Sequence, residues 1–110
     1  MKDIRKELTD IRNKIDDCVG ALIMDTDDVV ESTVKPLTGD ISYIFQSFIS
    51  DAGELAAMGV ELPVDVIVSQ LKRYMSAADM YDTIALADVL KYEIMDTVSV
   101  YMDIQEELYG

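Results

Sequence analysis

The sequence predicts an all-α protein, an antiparallel four-helix bundle forming a single domain over residues 1–110. Apolar side chains recur at helical spacing from Ile4 almost to Leu108. Half of the residues are apolar and only Pro36 and Pro63 lack a backbone N–H, which excludes disorder despite a net charge of −13. A chain of 110 residues is also long enough to bury one core without disulfides or metals.

Ile4, Leu8, Ile11, Ile15, Cys18 and Leu22 step alternately by four and three and predict helix one, with charged residues on the opposite side. Asp25-Thr26-Asp27-Asp28 ends that pattern and offers side-chain oxygens to cap the next helix. Val30, Val34, Leu37, Ile41, Ile44 and Phe48 form the second stripe, widened by Phe45, Ile49 and Leu55. Its phase survives Pro36 and Gly39, so one helix kinked at Pro36 is expected in preference to two short ones.

Met58 to Pro63 carries a glycine stop and a proline suited to a first helical turn, the clearest boundary in the chain. Val64, Ile67, Val68, Leu71, Tyr74, Met75 and Ala78 predict helix three. Asp79-Met80-Tyr81-Asp82 is the next turn, with Asp82 as cap. Ile84, Ala87, Leu90, Ile94, Val98, Tyr101 or Met102, and Leu108 are expected on the inner face of helix four.

Up-down-up-down connectivity brings the start of helix one to the finish of helix four. Lys2, Arg5 and Lys6 are unfavourable to their own helix N-terminus, and Asp103, Glu106 and Glu107 to their own C-terminus. The two sets are expected to neutralise each other across the bundle. Five cations against three anions make the first fourteen residues slightly positive, leaving about −15 for the rest.

That charge excludes nucleic acid and anionic membrane surfaces as expected partners, because phosphate binding needs clustered Lys and Arg. No apolar run approaches the roughly 18 residues of a membrane span. The N-terminus lacks a signal-peptide layout, so a cytoplasmic protein is expected.

Chemistry-bearing residues are sparse. There is no His and a single Cys, and no glycine-rich phosphate loop. Asp25, Asp27, Asp28 and Glu31 gather oxygen ligands suited to a hard cation, but without the glycine and distal glutamate of a calcium-binding hand a solvated, capped turn is the better reading. Glu93 and Asp96 are an i, i+3 carboxylate pair of the kind that builds metal sites in bundles, normally together with histidine. Cys18 lies in the helix-one seam beside Asp16 and Asp17, a setting for packing rather than reactivity. No catalytic residue, metal ligand or cofactor is expected.

Met and Tyr side chains are plentiful, and helix four carries Val89, Tyr92, Met95 and Val100 outside its main stripe. A second apolar face on a bundle with only one interior points to a partner helix. The expectation is therefore a homodimer built on those four residues, with an amphipathic helix of another protein as the other partner class.

Leu86-Ala87-Asp88-Val89-Leu90-Lys91-Tyr92 resembles a segment of the all-helical NTP pyrophosphohydrolases of the MazG type. Their magnesium site implies a glutamate where this chain has Ala85 and an upstream ExxE element, which Glu54 and Glu61 do not form. The same segment through Ile94 resembles the last helix of small acidic helical proteins of Firmicutes with no known function. It departs from them at Met95-Asp96, where a proline is expected. That resemblance implies a helical bundle in a bacterial cytoplasm and transfers no active site. The resulting expectation is a non-enzymatic protein acting by protein–protein contact. An adaptor or chaperone for a secreted or flagellar protein and an incomplete pyrophosphohydrolase stand as alternatives.

Overall fold

Helix α1 runs from Arg5 to Ile23 and buries Leu8, Ile11, Ile15, Cys18 and Leu22, the seam predicted by its three-four spacing. This is a computed structural model, and it describes residues 1–24 and 28–110. A π-turn over Val30–Val34 leads directly into α2, Lys35–Ser50, and a short helix α3, Ala52–Ala57, follows. Then come α4, Val64–Asp79, and α5, Thr83–Val89, which passes through a second π-turn, Leu90–Ile94, into α6, Met95–Tyr109.

Among the described residues these elements make four rods. α1 packs against α2 and against the α5–α6 rod, and α4 packs against α2 and α5, which closes an antiparallel ring. The buried side chains form one cluster, with Phe45, Phe48, Tyr74 and Tyr101 among its largest members. Phe48 and Tyr101 stack across the middle at 4.0 Å between centroids and 10° between planes.

The chain ends α3 and α4 by two versions of one device. At Gly59, with φ +84°, the Val60 N–H reaches back to the Leu55 carbonyl at 2.8 Å and the Gly59 N–H to Ala56 at 3.1 Å. Tyr81 occupies the same left-handed position after α4, with φ 53°, and the Asp82 and Tyr81 N–H groups reach Ala77 and Ala78 at 3.0 and 3.2 Å. Both are Schellman closures, the first with the glycine that suits it and the second with a tyrosine. Asp82 then caps α5 by accepting the Ala85 N–H at 3.0 Å, as expected.

Pro36 does not break the second rod. It sits in the first turn of α2, immediately after the π-turn, where its missing N–H and its ring are accommodated by the wider backbone spacing. The expected kink is thus a π-turn at an unbroken rod. At the opposite end the charge expectation is met by one pair: Arg5 Nη1 lies 3.9 Å from Glu106 Oε2, while the same guanidinium bonds Asp3 more closely, at 3.0 Å, and lies 5.8 Å from the Tyr109 ring centre.

The two π-turns lie sixty residues apart in corresponding places. Asp28-Val29-Val30 with Val34 matches Asp88-Val89-Leu90 with Ile94, and all six apolar members are buried. α1 with α2, and α4 with the α5–α6 rod, form two helical hairpins whose second arms each contain a π-turn. The second π-turn inserts about one residue of phase, roughly 100° of rotation, between α5 and α6.

That rotation corrects the expected inner face of the last rod. Ile84 is 77% exposed, whereas Leu86 and Val89 are in the core; Leu108, 44% exposed, lies past Gln105, the last buried residue of α6, and is not moved by the π-turn. A constant 3.6-residue period fits α6 but runs one residue out of step before Leu90. On α4, Met75 is exposed and Ala77 buried, while Ile67, Tyr74 and Ala78 point inward as expected.

Candidate functional site

The four residues expected to make an interface separate into different environments. Val89 is 4% exposed and belongs to the core, because the π-turn after it rotates it inward. Met95 is half-buried and packs against the core. Tyr92 is 66% exposed, with the Lys91 ammonium 5.2 Å from its ring centre, and Val100 is 46% exposed. Of the four, Tyr92 and Val100 remain on the surface.

Val100 lines a groove between α4 and α6. The start of α4 supplies Leu62, Pro63 and Val66, while α6 supplies Asp96, Thr97 and Val100; Phe48 and Ile67 form the floor, and the cavity measures about 190 Å³. The Thr97 hydroxyl donates to Gln70 Oε1 across the groove, and Arg73 pairs with Glu93 farther along the same seam. The floor belongs to the core, so in this groove the apolar interior adjoins a half-exposed apolar surface. Val66, 51% exposed, was legible only as an apolar residue outside the α4 stripe.

Polar side chains inside the bundle act as ties between rods. The Tyr74 hydroxyl donates to the Val34 carbonyl at 2.8 Å, at the exit of the first π-turn, with Thr38 Oγ1 3.1 Å away. Burial pushes its phenol up to about 12. The Tyr101 hydroxyl donates to Asp51 Oδ2 at 2.5 Å and lies 3.0 Å from the Ser47 hydroxyl, and burial together with the Asp51 carboxylate raises its pKa. At the other end of α2, the Lys35 ammonium meets Glu31 and the Tyr81 hydroxyl at 2.8 Å each, and Tyr81 donates to Glu31. These partners lower the Glu31 pKa, Lys35 first and Tyr81 second.

The expected packing role of Cys18 holds. The thiol is fully buried and pushed up to about 11 by burial, opposite to the depression a reactive thiolate requires. Glu93 is engaged by Arg73, while Asp96 faces the groove and Asp88 is exposed. Of the acidic segment 25–31, Asp25, Thr26 and Asp27 lie outside the described residues; Asp28 is exposed and Glu31 is held by Lys35 and Tyr81. Among the described residues no three His, Cys, Asp or Glu side chains are grouped to hold a metal ion, and no helix is long and apolar enough to cross a membrane.

A second surface was not anticipated. Ile23 and Met24 finish α1, Met80 and Tyr81 make the α4–α5 turn, and Ile84 starts α5. Antiparallel packing puts all of them at one end of the bundle, each more than half exposed. Compared with protein-family models, with curated proteins and with solved structures, the chain matches none.

Proposed function

We propose that this protein is a non-enzymatic cytoplasmic contact protein that forms a homodimer through the outer seam of α4 and α6. The supporting observation is the pairing of Val66 and Val100, 51% and 46% exposed, on the two walls of a groove floored by Phe48 and Ile67. An apolar side chain from a second copy set into that groove extends the core outward and removes both valines from water. Tyr92 flanks the same rod and supplies the amphipathic contact that interface centres favour.

Light scattering tests the proposal directly. The wild type is expected at twice the 12.3 kDa of one chain, and Val100→Glu at the monomer mass with an unchanged circular dichroism spectrum. A Val100→Glu dimer would move the contact elsewhere, and a monomeric wild type would end the dimer proposal. Magnesium-dependent pyrophosphate release from any nucleoside triphosphate would overturn the non-enzymatic reading in favour of the pyrophosphohydrolase alternative.

A further inference from the structure

From the exposed end of the bundle we infer that the protein has a second docking surface, separate from the α4–α6 groove, which receives a cationic amphipathic helix of a partner protein. Ile23, Met24, Met80 and Ile84 are 67%, 77%, 74% and 77% exposed, more than any apolar residue beside the groove. With half-exposed Tyr81, whose ring has the Lys35 ammonium 4.8 Å from its centre, they gather exposed apolar side chains at one end of the bundle, the kind of surface that marks a contact site. Two of the five are methionines, whose unbranched thioethers adapt to differently shaped apolar helix faces.

The surrounding charge selects the occupant. Asp28, Asp79, Asp82 and Asp88 are exposed at this end. Lys35 is already committed to Glu31 and Tyr81, and Lys91 lies over the Tyr92 ring. A second copy meeting end to end would press like charges together, and an anionic lipid surface would be repelled. A helix with leucine-like residues on one face and Lys or Arg flanking it satisfies both the apolar patch and the carboxylates around it.

The second π-turn turns one member of this surface, Ile84, outward. Without the rotation it introduces, Ile84 would follow the inner phase of α6, as a uniform helical period predicts; with it, Leu86 and Val89 take the core and Ile84 turns outward. The docking inference goes beyond the homodimer, since it uses the end of the bundle and none of the groove residues.

The test uses the full chain and a fluorescent amphipathic Leu/Lys helix of about five turns, with a Leu/Glu helix of the same pattern as its counterpart. Anisotropy at physiological salt is expected to show saturable binding of the Leu/Lys helix only. Met80→Ser and Ile84→Ser, both at exposed positions, should each weaken binding at least tenfold, while Val100→Ser and Leu108→Ser leave it unchanged. Binding indifferent to Met80→Ser and Ile84→Ser would reduce the interaction to bulk charge attraction and overturn the site. No binding, or equal binding of the Leu/Glu helix, would overturn it as well. A dimer that becomes monomeric in Ile84→Ser would identify a second copy as the occupant instead. Val100→Glu reads the groove separately, so the dimer and the docking surface fail or stand independently.

Discussion

Gln105 closes the start of α1 from across the bundle. The α1 N-cap position is Ile4, which has no side chain able to bond the helix, yet its N–H donates to Gln105 Oε1 at 2.8 Å. The same amide donates from Nε2 to the Lys2 carbonyl at 2.8 Å, and the side chain is fully buried. Gln105→Leu keeps the volume but leaves both backbone groups without their partner, so it should cost about 1–3 kcal/mol. Thermal melting is expected to fall by about 4–8 °C per kcal/mol for a domain of this size; an unchanged melt would mean that water substitutes for the amide. Nothing in the sequence marked Gln105, because a glutamine at a core phase reads as an interruption of the stripe. Its role exists only through a residue about one hundred positions away.

Buried acids set the alkaline limit at the same scale. Cys18 moves from 9.0 to about 11 and Tyr74 from 10.0 to about 12, and Tyr101 is raised as well. The unfolded chain therefore loses these protons at lower pH than the folded chain does. Their contribution to stability is complete below about pH 9 and is lost progressively as pH rises toward 12. Denaturant midpoints measured from pH 8 to 11.5 should fall, and the fall should flatten in Cys18→Ala/Tyr74→Phe. Tyrosinate absorbance should show Tyr74 and Tyr101 ionising last, together with unfolding.

At the scale of elements, the two π-turns separate what the sequence disclosed from what it concealed. The three-four spacing of α1 was legible because that helix is uniform from Arg5 to Ile23. The Gly59 stop and the Asp82 cap were legible because turn chemistry is local. Val89 and Ile84 were misplaced because one extra residue of phase is invisible to a fixed period. Proline is not the general cause: Pro36 follows the first π-turn, whereas Asp96 stands at the matching place after the second. What the two share is a pair of buried residues five apart, Val29 and Val34, and Val89 and Ile94, which a uniform α-helix sets about 140° apart and an i→i+5 π-turn brings to one face. Deleting Lys91, an exposed residue of the second π-turn, removes the inserted residue, so the rod should run on as a uniform α-helix with Val89 and Ile94, then four apart, still on the core face and Ile84 still outside. The expected cost is below about 2 kcal/mol, under the range for emptying a large apolar core position. Deleting Gly20, in an α-helical stretch of α1 with no wide turn to absorb the change, serves as comparison and should be worse. A Lys91 deletion as damaging as the Gly20 deletion, read by melting temperature, would show that the π-turn does not absorb an extra residue of phase.

For the whole molecule, packing closes the fold and net charge opposes it. The two hairpins pack with α1 against α6 and α2 against α4, which closes the ring. Charge does not help to hold them together. The side-chain ion pairs Lys14–Asp40 at 3.0 Å, Lys35–Glu31 at 2.8 Å and Arg5–Glu106 at 3.9 Å are all substantially exposed, and pairs of that kind contribute little. Against them stands a net charge of −13 on a body of 46 × 26 × 19 Å. At about 0.01 M salt the Debye length is about 30 Å, so carboxylates repel across the whole bundle; at about 0.15 M it shrinks to about 8 Å, which removes the long-range repulsion and spares contact pairs. The melting temperature should therefore rise by several degrees when NaCl is raised over that range, at a fixed protein concentration so that dimer mass action does not intrude. A guanidinium-free thermal scan by circular dichroism reads it. A fall would mean that the local pairs outweigh the summed repulsion, and that the acidic surface is held in place by its few cations.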